Sequence, residues 1–335
     1  MIKLDTTELP PHPIITIVGP TASGKSDLAL SIAEAFNGEI VNYDSVQIFR
    51  YMDIGTAKPN AAERRRVPHH MIDIREPSDV FTAGDYQREA RAVLEDLRDR
   101  NKLPVLVGGT GLYLRALTEG LFAGPRRSVH LRSRLELLAQ RHGREYLHRL
   151  LQKMDRVAAD RIMARDTPKI IRALEVRLET GKTLSEHLAS QPRQPLSGFV
   201  IHTIGLNPPR KASVQRIDER VRLMFEAGFV DEVRSLLNKG VPPAAKPMGA
   251  IGYRHILENA ERGNTWDETI GMIQRDTRRY AKRQMTWFRK LPGTTWFDGF
   301  GDNPDIKEEV HRRIQLLLPR WSQQTTAFKE ICDGD

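Results

Sequence analysis

Eight consecutive residues, Gly19-Pro20-Thr21-Ala22-Ser23-Gly24-Lys25-Ser26, have the types and the spacing to hold a phosphorylated ligand. They fit the pattern G-x-x-x-x-G-K-[ST], whose glycines let the backbone turn tightly and aim several N–H groups at one anion. Lys25 brings a full positive charge, and the N-terminus of a following helix a partial one. The Ser26 hydroxyl suits a Mg²⁺ ion that also binds the phosphate. The loop therefore implies a diphosphate or a triphosphate. It names neither the rest of the ligand nor the reaction.

Other candidates must converge on this loop to matter. Asp44, in Asp44-Ser45-Val46-Gln47, has a carboxylate that can bind Mg²⁺, cap a helix or take a proton. Gly108-Gly109-Thr110-Gly111 is a second glycine turn able to meet a ligand through backbone N–H groups and Thr110. P-loop ATPases often hold their Mg²⁺ with an acidic residue at such a place, so glycine here counts against a hydrolysing motor. Arg216 and Arg220 are four apart and share a helix face. Such a pair is either a diphosphate clamp or a solvated basic face. Pro68-His69-His70-Met71-Ile72-Asp73 invites a metal reading. Adjacent side chains on an extended segment point apart, and no ligand cluster follows, so that reading is set aside.

The elements that position these groups follow from periodicity. The apolar run 14–18 is a strand, and Leu28, Ile32, Ala35 and Phe36 mark a helix stopped by Asn37-Gly38. Further strands are expected at 39–43, 102–107 and 198–206, with a helix over 81–100. Ligands of an open α/β sheet sit beyond the carboxyl ends of the strands, where the loop, Asp44 and the second glycine turn all fall. The run 63–66 reads as charged and solvated. Between them, 121–194 is helical and basic, with Arg126, Arg127, Arg132, Arg134, Arg141 and Arg144 around leucine faces. Arg172 and Glu175, three apart, suit an intrahelical ion pair. In 266–289 a stripe of Ile270, Ile273, Thr277, Tyr280, Gln284 and Trp287 is flanked by Arg275, Arg278, Arg279, Lys282, Arg283 and Arg289. This helix can either follow a phosphate backbone or pack with a solvated basic face. Beyond Gly301 the chain reads as polar and peripheral.

The expected fold is α/β: a P-loop NTPase-like parallel sheet core flanked by helices, with an all-helical insertion domain. The core takes 14–122 and 199–312, the insertion 123–198, and the termini 1–13 and 313–335 are peripheral. The chain has 335 residues, 39% hydrophobic and 28% charged, as expected of a soluble globular protein. No run is long and apolar enough to span a bilayer, and 1–13 lacks the apolar core of a signal peptide. The single cysteine, Cys332, excludes an intrachain disulfide and a Cys-based zinc site, so the expected location is cytoplasmic. The net charge of +9 fits a polyanionic partner.

Several segments recur in one order: the phosphate loop, Asp44 to Gln47, Gly55-Thr56-Ala57-Lys58-Pro59, residues 68–73, residues 107–113, residues 171–175, Ala250-Ile251-Gly252-Tyr253 and residues 281–287. Together, over about 14–299, they resemble the tRNA dimethylallyltransferases. The resemblance implies transfer of a dimethylallyl group from dimethylallyl diphosphate to N6 of adenosine 37 in tRNA, with Mg²⁺. It implies that Asp44 is the general base and that Thr21, Lys25 and Arg220, with Arg216, serve the diphosphate. RNA contacts then map onto Asp44, Ser45, Val46, Gln47, Thr110 and Arg132. They continue through Pro168, Lys169, Ile170, Ile171 and Arg172, and through Gly249, Ala250, Ile251, Gly252, Tyr253 and Arg254. The last set is Lys282, Arg283, Gln284, Met285, Thr286, Trp287, Phe288 and Arg289. Phe49 stands where the family commonly has tyrosine, and Arg254-His255 where Lys-Glu is usual. The lack of a zinc-finger tail suggests the bacterial form, acting as a monomer. Rival expectations are an adenylate isopentenyltransferase using free AMP, ADP or ATP, a small-molecule or nucleotide kinase, and a non-catalytic RNA-binding P-loop protein.

Overall fold

A computed structural model of the chain describes residues 11–318 apart from 123, 126, 191 and 192, with the side chains of 144 and 260–262 excepted. Arg126, Cys332 and residues 1–10 and 319–335 lie outside the described residues. Two compact units form, Met1–Leu117 with Leu196–Asp335, and Thr118–Pro195.

In the first unit six parallel strands form one sheet: β1 (His12–Val18), β2 (Gly38–Asn42), β3 (His69–His70), β4 (Leu103–Val107), β5 (Phe199–Leu206) and β6 (Thr295–Phe297). Their order is β3-β2-β4-β1-β5-β6, so the parallel α/β core expected from periodicity is present. Helices α1 (Lys25–Ala35), α2 (Ala61–Arg66), α3 (Ala83–Asp99) and α4 (Gly111–Thr118) follow the first strands. The second unit holds α5 (Val129–His142), α6 (Arg144–Met154), α7 (Arg156–Arg161), α8 (Thr167–Thr180) and α9 (Leu184–Ser190) around Leu135, Leu147, Leu151, Ile170 and Leu174. The chain then returns to the first unit with α10 (Arg210–Glu226), α11 (Phe229–Asn238), α12 (Tyr253–Arg262), α13 (Trp266–Phe288) and α14 (Pro304–Leu317).

Strand periodicity explains the layers. Ile14 and Val18 enter one core with Tyr86 and Leu94 of α3 and Phe229 of α11, whereas Ile15 and Ile17 enter another with Leu28 and Ile32 of α1. Both sheet faces are covered, so β1 is apolar on both sides. From β1 the chain passes over β4 to β2, while from β4 it passes over β1 to β5. That reversal opens a crevice between the ends of β1 and β4, where ligands bind in such sheets.

Four sequence expectations need correction. The residues after Gly301 are not peripheral: Val310 and Ile314 of α14 are fully buried against α1. The peripheral arm 1–13 and tail 313–335 are likewise wrong at their inner ends, because His12 pairs with Phe199 in the sheet and Ile314 is core. Strands β3 and β6 were not expected, since two and three residues carry no usable period. The charged run 63–66 is helical and anchored rather than simply solvated: Arg64 pairs with Asp73 at 2.5 Å and Arg66 with Glu34 at 2.7 Å.

Ile314→Ala is expected to lower unfolding free energy by about 2–5 kcal/mol, the usual cost of a large-to-small core substitution. Urea unfolding measures this, and a change within about 0.5 kcal/mol would mark α14 as a surface element.

Candidate active site

The phosphate loop leaves β1 at Val18, and its last residues open α1. Gly24 has φ +79°, and a Cβ there would lie 2.7 Å from the Asp302 backbone nitrogen, so this position needs glycine on both counts. Ala22 is also left-handed, at φ 62°, a strained state for a residue with a Cβ. The Ser23 hydroxyl is buried without a hydrogen-bond partner. A buried hydroxyl of this kind is costly unless a ligand completes it. The Lys25 Nζ donates to the Pro20 carbonyl at 2.6 Å, an acceptor inside the loop. Desolvation, and then the charge of Arg220, push the Lys25 ammonium down from 10.5 to about 7, against the pull of Asp44.

Arg220 and Arg216 share one face of α10 but have different partners. Arg220 is partly buried, has no hydrogen bond or ion pair among the described residues, and lines the cavity of about 500 Å³ in front of the loop. Arg216 is exposed, bonds both Asp302 oxygens at 2.8 Å and lies over the Phe300 ring. Arg216 is therefore not a free anion clamp, because Asp302 already matches its charge. Asp302 had no signal in the sequence. It reaches the loop because the Gly301 N–H donates to the Ser23 carbonyl at 2.8 Å, a pairing distant in sequence.

Asp44 follows β2, and of the roles open to it the capping one is visible. Its Oδ1 accepts from the N–H groups of Val46 at 2.9 Å and Gln47 at 3.4 Å, which is a capping role. Its Oδ2 has no such bond among the described residues and faces Gly109, where a Cβ would come within 2.9 Å of it. Thr110 takes the Ser45 N–H at 2.9 Å and donates to the Ser45 hydroxyl at 3.0 Å, which ties the β4 turn to the β2 turn.

Helix α13 supplies the far wall. The Tyr280 hydroxyl donates to the Gly109 carbonyl at 2.9 Å. Gln284 accepts from the Thr21 N–H at 2.8 Å and donates to the Gly109 carbonyl at 3.1 Å. Both belong to the stripe at helical spacing, and a buried amide on an otherwise apolar face was the available signal. Glu232 on α11 had none: its carboxylate accepts from the N–H groups of Asp53, Ile54 and Gly55 and from the Tyr253 hydroxyl. It thereby braces the loop that carries Thr56.

Behind Asp44 lies a second cavity of about 350 Å³ with apolar walls from Ile217, Val221, Met224, Phe229 and Ile273. Thr21, Ala22, Asp44, Thr56, Arg220 and Tyr280 line both cavities. Gly249, Ala250, Ile251, Tyr253 and Arg283 border the second one.

The residues assigned to RNA separate into groups. Ile170, Ile171 and Phe288 have buried side chains and offer no surface to an RNA backbone, whereas Tyr253 is buried but borders the second cavity. Gln284 is 5% exposed and bonded within the protein, so it too is removed from a direct RNA role. Trp287 packs its ring over Gly111, where a Cβ would lie 2.6 Å away. Lys282, Thr286 and Arg289 are exposed on the outer face of α13, Arg283 is exposed at the border of the second cavity, and Arg289 donates to Asn207. Arg254 is paired with Asp276 at 2.6 Å. In the helical unit, Arg132 and Arg172 both bond the fully buried Glu175, at 2.8 and 2.7 Å, with Pro168 and Lys169 at the start of α8. Burial pushes the Glu175 carboxyl up, but the bonds from both arginines and the Ser128 N–H outweigh this and hold it at about 2.

For a cation, the fit rests on the loop. Among the described residues no group of three or more His, Cys, Asp or Glu could hold a metal, and His70 instead meets Glu39 at 2.7 Å. The exposed Ser26 hydroxyl has no partner among those residues and suits a Mg²⁺ whose other ligands are phosphate oxygens and water. Among the described residues no helix is long and apolar enough to cross a membrane.

The family described as IPP transferase matches residues 47–291. The chain is 49% identical over 302 residues to a tRNA dimethylallyltransferase of Koribacter versatilis, covering 90% of this chain and 98% of that one. It is 47% identical over 306 residues to one of Solibacter usitatus, covering 91% and 99%. Its fold is similar to the crystal structure of a tRNA isopentenylpyrophosphate transferase from Bacillus halodurans, at TM-score 0.67 and 35% identity over 95% of this chain and 99% of that one. A eukaryotic dimethylallyltransferase solved while acting on tRNA gives TM-score 0.76 at 26% identity over 91% and 78%.

An anion entering the loop should draw a proton back onto Lys25. Inorganic diphosphate binding at pH 8 is therefore expected to take up protons, measured by calorimetry in buffers of different ionisation enthalpy. Lys25→Met should abolish that uptake. Without ligand, the depressed lysine makes the folded chain hold fewer protons than the unfolded one between about pH 7 and 10.5, so this group's contribution to stability rises with pH across that window.

Proposed function

The chain belongs to the IPP transferase family, among the tRNA dimethylallyltransferases, and on that premise we propose that it moves the dimethylallyl group of dimethylallyl diphosphate to N6 of adenosine 37 in tRNA, releasing diphosphate. The observation that carries this reading is the pair of cavities joined at Thr21, Asp44, Arg220 and Tyr280, one lined by the phosphate loop and the other with an apolar wall from Ile217, Val221, Met224, Phe229 and Ile273. The diphosphate enters the first and the flipped adenine the second, so donor carbon and acceptor amine meet beside Asp44.

Each side chain then has a chemical task. Loop N–H groups, the Ser23 hydroxyl, Lys25 and Arg220 hold the negative charge that grows on the leaving diphosphate. Thr21 belongs to the same diphosphate cradle. Mg²⁺, when bound through the Ser26 hydroxyl and the diphosphate, would neutralise further leaving-group charge. Departure makes the allylic carbon electrophilic. The exocyclic amine of adenine is a weak nucleophile because its lone pair is delocalised into the ring. Asp44 Oδ2 accepts its proton as the new C–N bond forms, while Oδ1 stays bonded to the Val46 N–H and keeps the carboxylate oriented.

The outer face of α13, with Arg279, Lys282 and Arg289, is the proposed track for the RNA backbone.

The decisive assay supplies labelled dimethylallyl diphosphate, Mg²⁺, unmodified tRNA and free AMP together. Label recovered as N6-prenyladenosine at position 37 is the expected result, and label only in AMP would overturn it. Asp44→Asn should lower turnover by about 10²–10⁴-fold while RNA affinity stays near wild type. Equal loss of both would make Asp44 a binding residue. Replacing Arg279 and Lys282 with glutamine should reduce the salt slope of RNA binding by about two.

A further inference from the structure

The ends of β1 and β4 diverge above the Ile17–Val107 pair, and the donor loop and the second glycine turn stand on opposite sides of the gap. Among the described residues no backbone hydrogen bond joins 19–24 to 108–111. One side-chain amide crosses it. Gln284 accepts from the Thr21 N–H and donates to the Gly109 carbonyl, so each half of its amide holds one rim. The fit is close on both sides. A Cβ on Gly109 would lie 2.8 Å from the Gln284 Nε2, 2.9 Å from the Asp44 Oδ2 and 3.0 Å from the Tyr280 hydroxyl. Gln284 itself cannot drift, because Ala281 and Phe288 on the same helix are buried and Trp287 lies over Gly111.

We propose that Gln284 is a positioning residue that sets the separation between the diphosphate loop and the Gly109–Asp44 rim. It acts through Thr21 and Gly109 and need touch neither substrate. This rests on the reading of those rims as the donor and acceptor sides of one transfer. A side chain with this task affects the alignment of two bound reactants more than the binding of either. An amide suits it chemically: only a group with both an acceptor and a donor satisfies an N–H on one rim and a carbonyl on the other. Tyr280 cannot replace it: its hydroxyl donates to the Gly109 carbonyl, and among the described residues it makes no bond to Thr21 on the other rim.

The test is rapid-quench single-turnover transfer to tRNA with both substrates saturating, alongside the affinities for inorganic diphosphate and for tRNA and a thermal melt. Gln284→Met keeps the length and removes both bonds. It is expected to slow the transfer step about 10–100-fold, the scale of a reactant misplaced by an ångström or less. Both affinities should remain within about threefold of wild type, since both bonds of the amide go to protein backbone although its side chain borders the first cavity. Gln284→Asn, a smaller change for folding, retains an amide too short to span the gap and should lose at least about tenfold. Tyr280→Phe leaves the bridge intact and should lose less than Gln284→Met. A wild-type transfer rate in either Gln284 variant overturns the proposal. So does a rate loss matched by lost tRNA affinity, which would make Gln284 an RNA contact. An inactive wild-type chain would overturn the transfer reading and this inference together, whereas an active wild type with unaffected variants overturns the inference alone.

Discussion

Two cations, Lys25 and Arg220, face one cavity at the centre of this protein, and among the described residues neither has an ion-pair partner. Burial first, and then repulsion from Arg220, make the lysine lose part of its hold on its proton. The nearby carboxylate, Asp44, spends one oxygen on backbone N–H groups. Such an arrangement is tolerable only if rigid elements hold it, because side chains free to move would relax the repulsion into solvent. The parallel sheet supplies the rigidity. β1, β2 and β4 end at one rim, and the reversal of chain direction leaves a gap there for a charged ligand.

The surrounding contacts protect that geometry from several sides. The Gly301–Asp302 segment presses on the loop from outside, with Arg216 holding Asp302. Glu232 fills a run of N–H groups with its own carboxylate and fixes the loop beside Tyr253. Thr110 and Ser45 tie one rim to its neighbour. Such polar contacts are individually modest in stability, yet each removes a direction in which the site could loosen. In the helical unit Glu175 does similar work between Arg132 and Arg172. Those arginines carry a structural duty whatever else they touch.

Helix α13 shows how one element serves two environments. Its inner stripe reaches both glycine loops through Tyr280 and Gln284, and its outer face is rich in arginine and lysine. The stripe was evident from spacing alone, but its meaning was not. Spacing places Gln284 on the inner face without saying that Thr21 and Gly109 lie there. The adjacent aromatic pair shows the same limit: the resemblance assigns Trp287 and Phe288 to RNA, whereas one covers Gly111 and the other is buried.

What the sequence determined by itself is local. The phosphate loop, the strand before it and the helix after it are set by residues within a few positions of one another. The Asp44 and Gly108-Gly109 rims follow from strand ends in the same way, and so do the helical character of 121–194 and the Arg172–Glu175 pair. The ordered set of motifs extended this to the family. Tertiary structure decided what depends on residues far apart in the chain. The return of Asp302 to the loop, the brace of Glu232, the burial of α14 and the inward turn of Gln284 all join segments separated by many residues. Period and propensity are properties of neighbours. A hydrogen bond across the sheet exists only once packing has brought its two ends together.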